Sequence, residues 1–181
     1  MSWTAHITGA NEVSPALLSA VKEGTRAGLE KIGVDGARMV QENIKTPYNG
    51  RPPAVFKGNL AASIVSTFVS EPGLMGIVIG VAPTLGADVY AAPVETGARP
   101  HMPPVSALLP WVQMKFGAKD EKTALSLAWA VAMSIRKKGT QGHEMFSRAL
   151  EELEQIAPDV LEKSILSAAE SQGFAVGGGL A

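Results

Sequence analysis

The side chains that could do chemistry in this chain are few. With three histidines and no cysteine, a metal site would have to join His101 and His143 to neighbouring carboxylates such as Glu95 and Glu144. The His-Glu-x-x-His pattern is absent, and both histidines sit beside sequence that reads as turn, where solvated and capping roles are common. Glu144 suits the first turn of a helix, where the dipole favours a carboxylate. No serine lies in a Gly-x-Ser-x-Gly elbow, and Gly139-Thr140 follows two lysines instead of preceding one, which excludes a Walker phosphate loop. No catalytic, metal-binding or cofactor-binding residue is assigned, and no cofactor is expected. A small metal-dependent hydrolase using His101 and His143 remains the alternative from another class.

The remaining polar chemistry is that of association. Arg136, Lys137 and Lys138 form the one concentrated basic run. They either satisfy the C-terminal carbonyls of a helix or meet a partner carboxylate or passing DNA. Without interleaved aromatic residues they make a weak single-strand-binding signal. Glu95 either caps the turn at Thr96-Gly97 or pairs with Arg99 or with an arginine of another subunit. A formal charge of −1 gives no indication of broad attraction to nucleic acid and leaves room for a local basic patch. Zero cysteines exclude disulfides, and no apolar run approaches the roughly 18 residues that span a bilayer. The N-terminus lacks the basic-then-apolar order of a signal peptide, so the chain reads as soluble and cytoplasmic when made.

These groups must be positioned by local elements. Within 181 residues, 46% are hydrophobic and 18% charged, enough to bury a core, while 19 glycines and 12 prolines demand many turns. Ser14-Pro15 reads as an N-cap and first helical residue. A long helix follows, with a bend near residues 33 to 36, and Gly24 and Gly28 allow a neighbour to approach. Residues 45 to 57 hold Pro47, Asn49-Gly50 and Pro52-Pro53, hence a surface loop. This loop is either a passive connector or a docking arm that presents Tyr48, Arg51 and Phe56.

Residues 64–69 and 75–81 read as a β-hairpin turning at Glu71-Pro72-Gly73. Gly76, Val78 and Gly80 leave one face nearly bare, as where something lies close to it. Residues 89–95 suit a third strand or a helical turn. Pro100, Pro103 and Pro104 force residues 97–104 to run extended. Helices are expected at about 105–116, 121–137 and 144–171, with Pro158 kinking or splitting the last. Trp111 reads as either core or interface, and Trp129 as core. Strands in the middle and helices at both ends predict an α+β fold. It is a small, mostly antiparallel sheet packed by long N- and C-terminal helices, with an additional helix pair at 105–137. The expected organisation is a flexible leader over 1–12, a single α+β domain over 13–171 and a flexible glycine-rich tail over 172–181.

The stretch from Tyr90 to Trp111 adds a resemblance. Tyr90, Ala91, Val94, Glu95 and Gly97 lead into Pro103, Pro104, Leu108 and Trp111. This order resembles the neck and tail-completion proteins of long-tailed bacteriophages, the group that includes the minor tail protein Z of phage lambda. The similarity spans roughly residues 13 to 165 and is best from 58 to 150. It implies a non-enzymatic minor tail protein of the virion, made in the host cytoplasm, that completes the tail or neck and helps join tail to head. A tail terminator or head-closure ring is the runner-up. The implied partners are further copies of the chain in a ring of six, other neck and tail proteins, and double-stranded DNA in passage without specific binding; no membrane is involved. On that reading the candidate interface comprises Tyr48, Arg51, Phe56, Glu95, Gly97, Arg99, Pro103, Pro104, Trp111, Arg136, Lys137 and Lys138.

Overall fold

Ser14 and Pro15 start the first helix as the sequence predicts: the Leu17 amide donates to Ser14 Oγ at 3.3 Å and the Leu18 amide to the Ser14 carbonyl at 3.0 Å. The computed structural model describes residues 14–54, 58–83 and 86–175. The expected leader, Phe56 and the residues after Ala175 lie outside these. In chain order the elements are α1 (Pro15–Lys45), α2 (Asn59–Ala62), β1 (Ile64–Glu71), β2 (Leu74–Val81), α3 (Asp88–Thr96) and β3 (Gly97–Ala98). There follow α4 (Val105–Phe116), α5 (Glu121–Lys138), β4 (Thr140–Gln141) and α6 (Met145–Ser171). The fold is α+β, mainly helical, with two small two-stranded sheets, β1-β2 and β3-β4, among the described residues.

The contacts group into two compact units. The first takes residues up to Asp35, Thr67–Val78 and those from Leu153 onward; the second takes Gly36–Ser66 and Ile79–Glu152. α1 remains one helix across residues 33–36, where the sequence predicts a bend, and the division between units falls there, at Asp35-Gly36. α6 likewise continues through Pro158 without splitting. That residue is exposed, and the helix tolerates the single missing amide donor.

In the first unit, Gly24 and Gly28 do what their lack of a side chain permits. A Cβ on Gly24 would lie 2.5 Å from Ile165 Cα, and one on Gly28 would lie 3.0 Å from Leu161 Cδ2, so α6 rests directly on the α1 backbone. Ala20, Ile32, Leu153 and Ala169 are buried here. The hairpin tip has Pro72 at the second turn position and Gly73 at φ 80 at the third, the pairing that a type II turn requires. Arg26 lies over the Phe68 ring at 5.3 Å from its centroid. Gly173, at φ 83, closes α6 as a left-handed cap.

The second unit is built on Val40, Ile44, Leu60, Ala61, Ile64, Ala87, Met145 and Ala149, which form one buried cluster. α4 and α5 pack on each other as a helical hairpin. The carboxylate of Asp120 caps α5 by accepting the Thr123 amide at 2.8 Å, and this bond holds its carboxyl below the ordinary 3.8. Ala124, Ala128 and Ala132 are fully buried on α5, and Val112 on α4.

Two expectations need correction, those for Trp129 and for the bare face of β2, and two others take definite form. Of the two alternatives for residues 89–95, strand or helical turn, the helical one is formed, as α3 over residues 88–96. The run at 97–104 holds no helix before α4 starts at Val105, and its first two residues, Gly97 and Ala98, pair antiparallel with Gln141 and Thr140. Trp129 is not core, being 49% exposed, because the alanine row of α5 is the side turned inward. The bare face of β2 has nothing within 4 Å of a Cβ placed on Gly76 or Gly80, so no neighbour among the described residues explains those glycines.

Candidate functional site

Six of the residues singled out by sequence, Tyr48, Arg51, Glu95, Gly97, His143 and Glu144, converge where α6 begins. α6 has no acidic residue in its own first turn, and the first amides of a helix have no partner within it. Glu95, at the end of α3, supplies the missing acceptor. Its carboxylate accepts from the Phe146 amide at 2.9 Å, the Ser147 amide at 3.0 Å and the Ser147 hydroxyl at 2.8 Å. The sequence reading of Glu95 as a cap for Thr96-Gly97 or a partner of Arg99 is therefore replaced by a cap reaching 51 residues along the chain. The backbone follows the same path: the His143 amide donates to Val94 O at 2.7 Å and the Glu144 amide to Glu95 O at 3.1 Å.

Glycines make this approach possible. Gly97 has φ 80 and ψ −179, a region open only to glycine, and a Cβ there would overlap the Thr140 carbonyl oxygen. Gly142 faces the Glu95 carbonyl oxygen just as closely.

Loop 46–54 folds onto the same corner. Asn49 at φ 50 and Gly50 at φ 73 make a tight turn, bridged by Tyr48 N to Arg51 O at 3.1 Å and Arg51 N to Tyr48 O at 2.9 Å. The turn aims both side chains at residues 142–148. Arg51 Nη1 donates to the Gly142 carbonyl, while its Nε is buried with no hydrogen-bond partner among the described residues. Tyr48 Oη donates to Glu144 Oε2 at 2.6 Å, and its ring is covered by Arg148, whose guanidinium carbon is 4.3 Å from the ring centroid. Glu144 thus serves Tyr48 instead of the helix amides, a second correction at the start of α6.

The C-terminal carbonyls of α1 complete the arrangement. Asn43 O accepts from Arg148 Nη2 at 2.7 Å and lies 3.1 Å from His143 Nε2, which also lies 3.0 Å from Thr46 O. With carbonyls as its neighbours, Nε2 is the proton-bearing nitrogen and donates to them. Asn43 Nδ2 returns a bond to Met145 O at 3.1 Å. His143 is buried, and its ring meets Tyr48 edge-on at 5.9 Å.

As chemistry this is a lock. Its imidazole and both guanidinium groups are directed at backbone carbonyls, and the hydrogen bond to Glu144 holds the Tyr48 phenol above its ordinary 10.0, the opposite of an activated nucleophile. His101 is exposed, with Nδ1 2.9 Å from Arg99 O. Among the described residues no group of three His, Asp or Glu side chains is placed to hold a metal.

Two expected outcomes test the lock. Glu95→Ala should destabilise the fold by about 1–2 kcal/mol, the usual cost of a lost N-cap, and Glu95→Gln by less, since the amide oxygen still accepts. Urea midpoints at unchanged m-value measure this. In the second test, the Tyr48 phenol titrates above its unfolded value, so the bond to Glu144 stabilises the fold below about pH 10 and that contribution fades as pH rises through the raised value. A tyrosinate absorbance titration of wild type minus Tyr48→Phe should place the missing midpoint above 10.0; a midpoint at or below it would refute the bond.

The other candidate residues lie elsewhere in the second unit. Arg99 and Pro104 are exposed and Pro103 is half-buried; Arg136, Lys137 and Lys138 are exposed in the last turn of α5. Trp111 is half-buried, edge-on to Phe116 at 5.7 Å. It lines an apolar groove of about 440 Å³ with Tyr90, Val94, Ile44 and Leu60. Sequence reasoning missed Asn43, Gly142 and Arg148, whose only local signal was the Gly142-His143-Glu144 turn.

Fold and site together define a class: an α+β protein whose clustered polar side chains are spent on shape, with apolar and basic surface left outside. Comparison with known protein families, curated proteins and solved structures finds no match.

Proposed function

We propose that this chain is a structural, non-enzymatic protein of the head–tail junction of a long-tailed phage, completing the tail or neck and helping tail join head. One observation supports the reading most. The residues that carry the resemblance serve connected structural purposes: Glu95 caps α6, Gly97 admits β4, and Tyr90, Val94 and Trp111 line one groove. Residues used this way preserve a shape, which suits a protein whose work is association. The candidate outer surface, Arg99, Pro104 and Arg136–Lys138, is then available to neighbouring copies in a ring and to other neck and tail proteins.

The test is mass spectrometry of purified particles from a strain carrying the gene, quantified against portal and major tail subunits. A low, fixed copy number near that of the portal supports the proposal; absence from intact particles rejects it. Particles made without the protein separate completion from termination. Normal-length tails that fail to join indicate completion, whereas tails of uncontrolled length indicate a terminator.

A further inference from the structure

We propose that the exposed apolar row of α5 is a self-association surface that docks on the acidic outer side of α6 in a second copy of the chain. This deepens the structural-protein reading and rests on it. Leu125, Trp129 and Met133 are 43, 49 and 37% exposed and succeed one another every four residues along α5. Lys122 and Arg136 close the row at its two ends, giving positions i, i+3, i+7, i+11 and i+14, one side of a helix. Single exposed apolar residues are ordinary on a protein surface, whereas a contiguous row with a central tryptophan and charged ends has the anatomy of an interface.

Charge identifies the occupant. Residues 105–138 carry six cations against two carboxylates, and one of those, Asp120, is committed to the α5 cap. α6 carries the inverse, six carboxylates against two cations, and one of those, Arg148, is turned onto Asn43 and Tyr48. The chain's near-neutral total therefore conceals two opposed surfaces. On α6, Ile156, Asp159, Lys163, Leu166 and Glu170 lie on one side of the helix, all exposed; two carboxylates against one cation leave that side net acidic beside its apolar groups, as cations stand beside apolar groups on α5. Two different patches that complement each other make a heterologous contact, the kind that repeats into a ring or a filament instead of stopping at a dimer. Opposite charge would also speed encounter and make assembly weaken with salt.

Light scattering after size exclusion, over a concentration series and at two salt levels, tests this on the full chain. Wild type is expected to exceed monomer mass. Trp129→Ser should raise the dissociation constant at least tenfold without changing the circular dichroism or melting temperature, since the residue is half exposed. Arg136→Glu should weaken assembly, and pairing it with Asp159→Lys should restore it. A monomeric wild type, an assembly indifferent to Trp129→Ser, or a charge exchange that restores nothing would each overturn the proposal. So would a monomer that binds phosphatidylglycerol vesicles through Trp129, because the row would then face lipid. Assembly by a protein absent from particles rejects the virion reading alone; a monomer found in particles rejects this contact alone.

Discussion

Gly97→Ala is expected to cost about 3 kcal/mol or more, a large share of the stability of an ordinary domain. Two costs add. The backbone at φ 80 and ψ −179 is closed to residues with a side chain, at about 1–3 kcal/mol. The new Cβ would also overlap the Thr140 carbonyl oxygen, which is backbone and cannot rotate away. Relief requires parting β3 from β4, and that movement carries Glu95 away from the first amides of α6. Gly117→Ala is the control. It too has positive φ, at 63, but lies in the left-handed helical region with open space around it, so its cost should stop at about 1–2 kcal/mol. Thermal melting should separate the two variants clearly, and equal losses would show that the close approach of β4 contributes nothing. Hydrogen exchange at Gln141, the partner of Gly97, should report the opening of the ribbon.

Much of the chain was legible because its signals are local. The start of α1 is set by Ser14-Pro15, the hairpin by Pro72-Gly73, and α4, α5 and α6 by apolar spacing between turn residues. The ends of α4, α5 and α6 fell within about a residue of expectation, and β1 runs two residues past its expected end. The lock was not legible, for reasons of chain distance. Tyr48 and Glu144 are 96 residues apart and Asn43 and Arg148 are 105 apart, so no local pattern joins them. β3 and β4 have two residues each, too few for alternation to register.

Trp129 was misplaced for another reason. α5 has apolar rows at Ala124-Ala128-Ala132, Leu127-Val131-Ile135 and Leu125-Trp129-Met133, so spacing alone could not choose the inward one. Close helix packing chose the smallest side chains, and the largest were left outside. The same consideration turns a residue that looked like core into the centre of the proposed contact surface.

Gly24→Ala provides the second large effect, because two principles oppose each other there. In an isolated helix alanine is favoured over glycine by about 1 kcal/mol, and α1 is a helix with Gly24 in its interior. The gain is outweighed by overlap, since the new Cβ would lie 2.5 Å from Ile165 Cα, 2.7 Å from Ser164 O and 3.0 Å from Ala168 Cβ. The first two are α6 backbone, so the helices must separate and surrender packing along their contact. A net loss of about 2–4 kcal/mol is expected, seen as a fall in melting temperature on the order of 5–10 °C. Gly28→Ala should cost far less, because the nearest obstacle is Leu161 Cδ2 at 3.0 Å, the end of a side chain that can change rotamer. If Gly24→Ala instead melted higher than wild type, intrinsic helix propensity would be governing this segment, and the close seating of α6 on α1 would have to be abandoned.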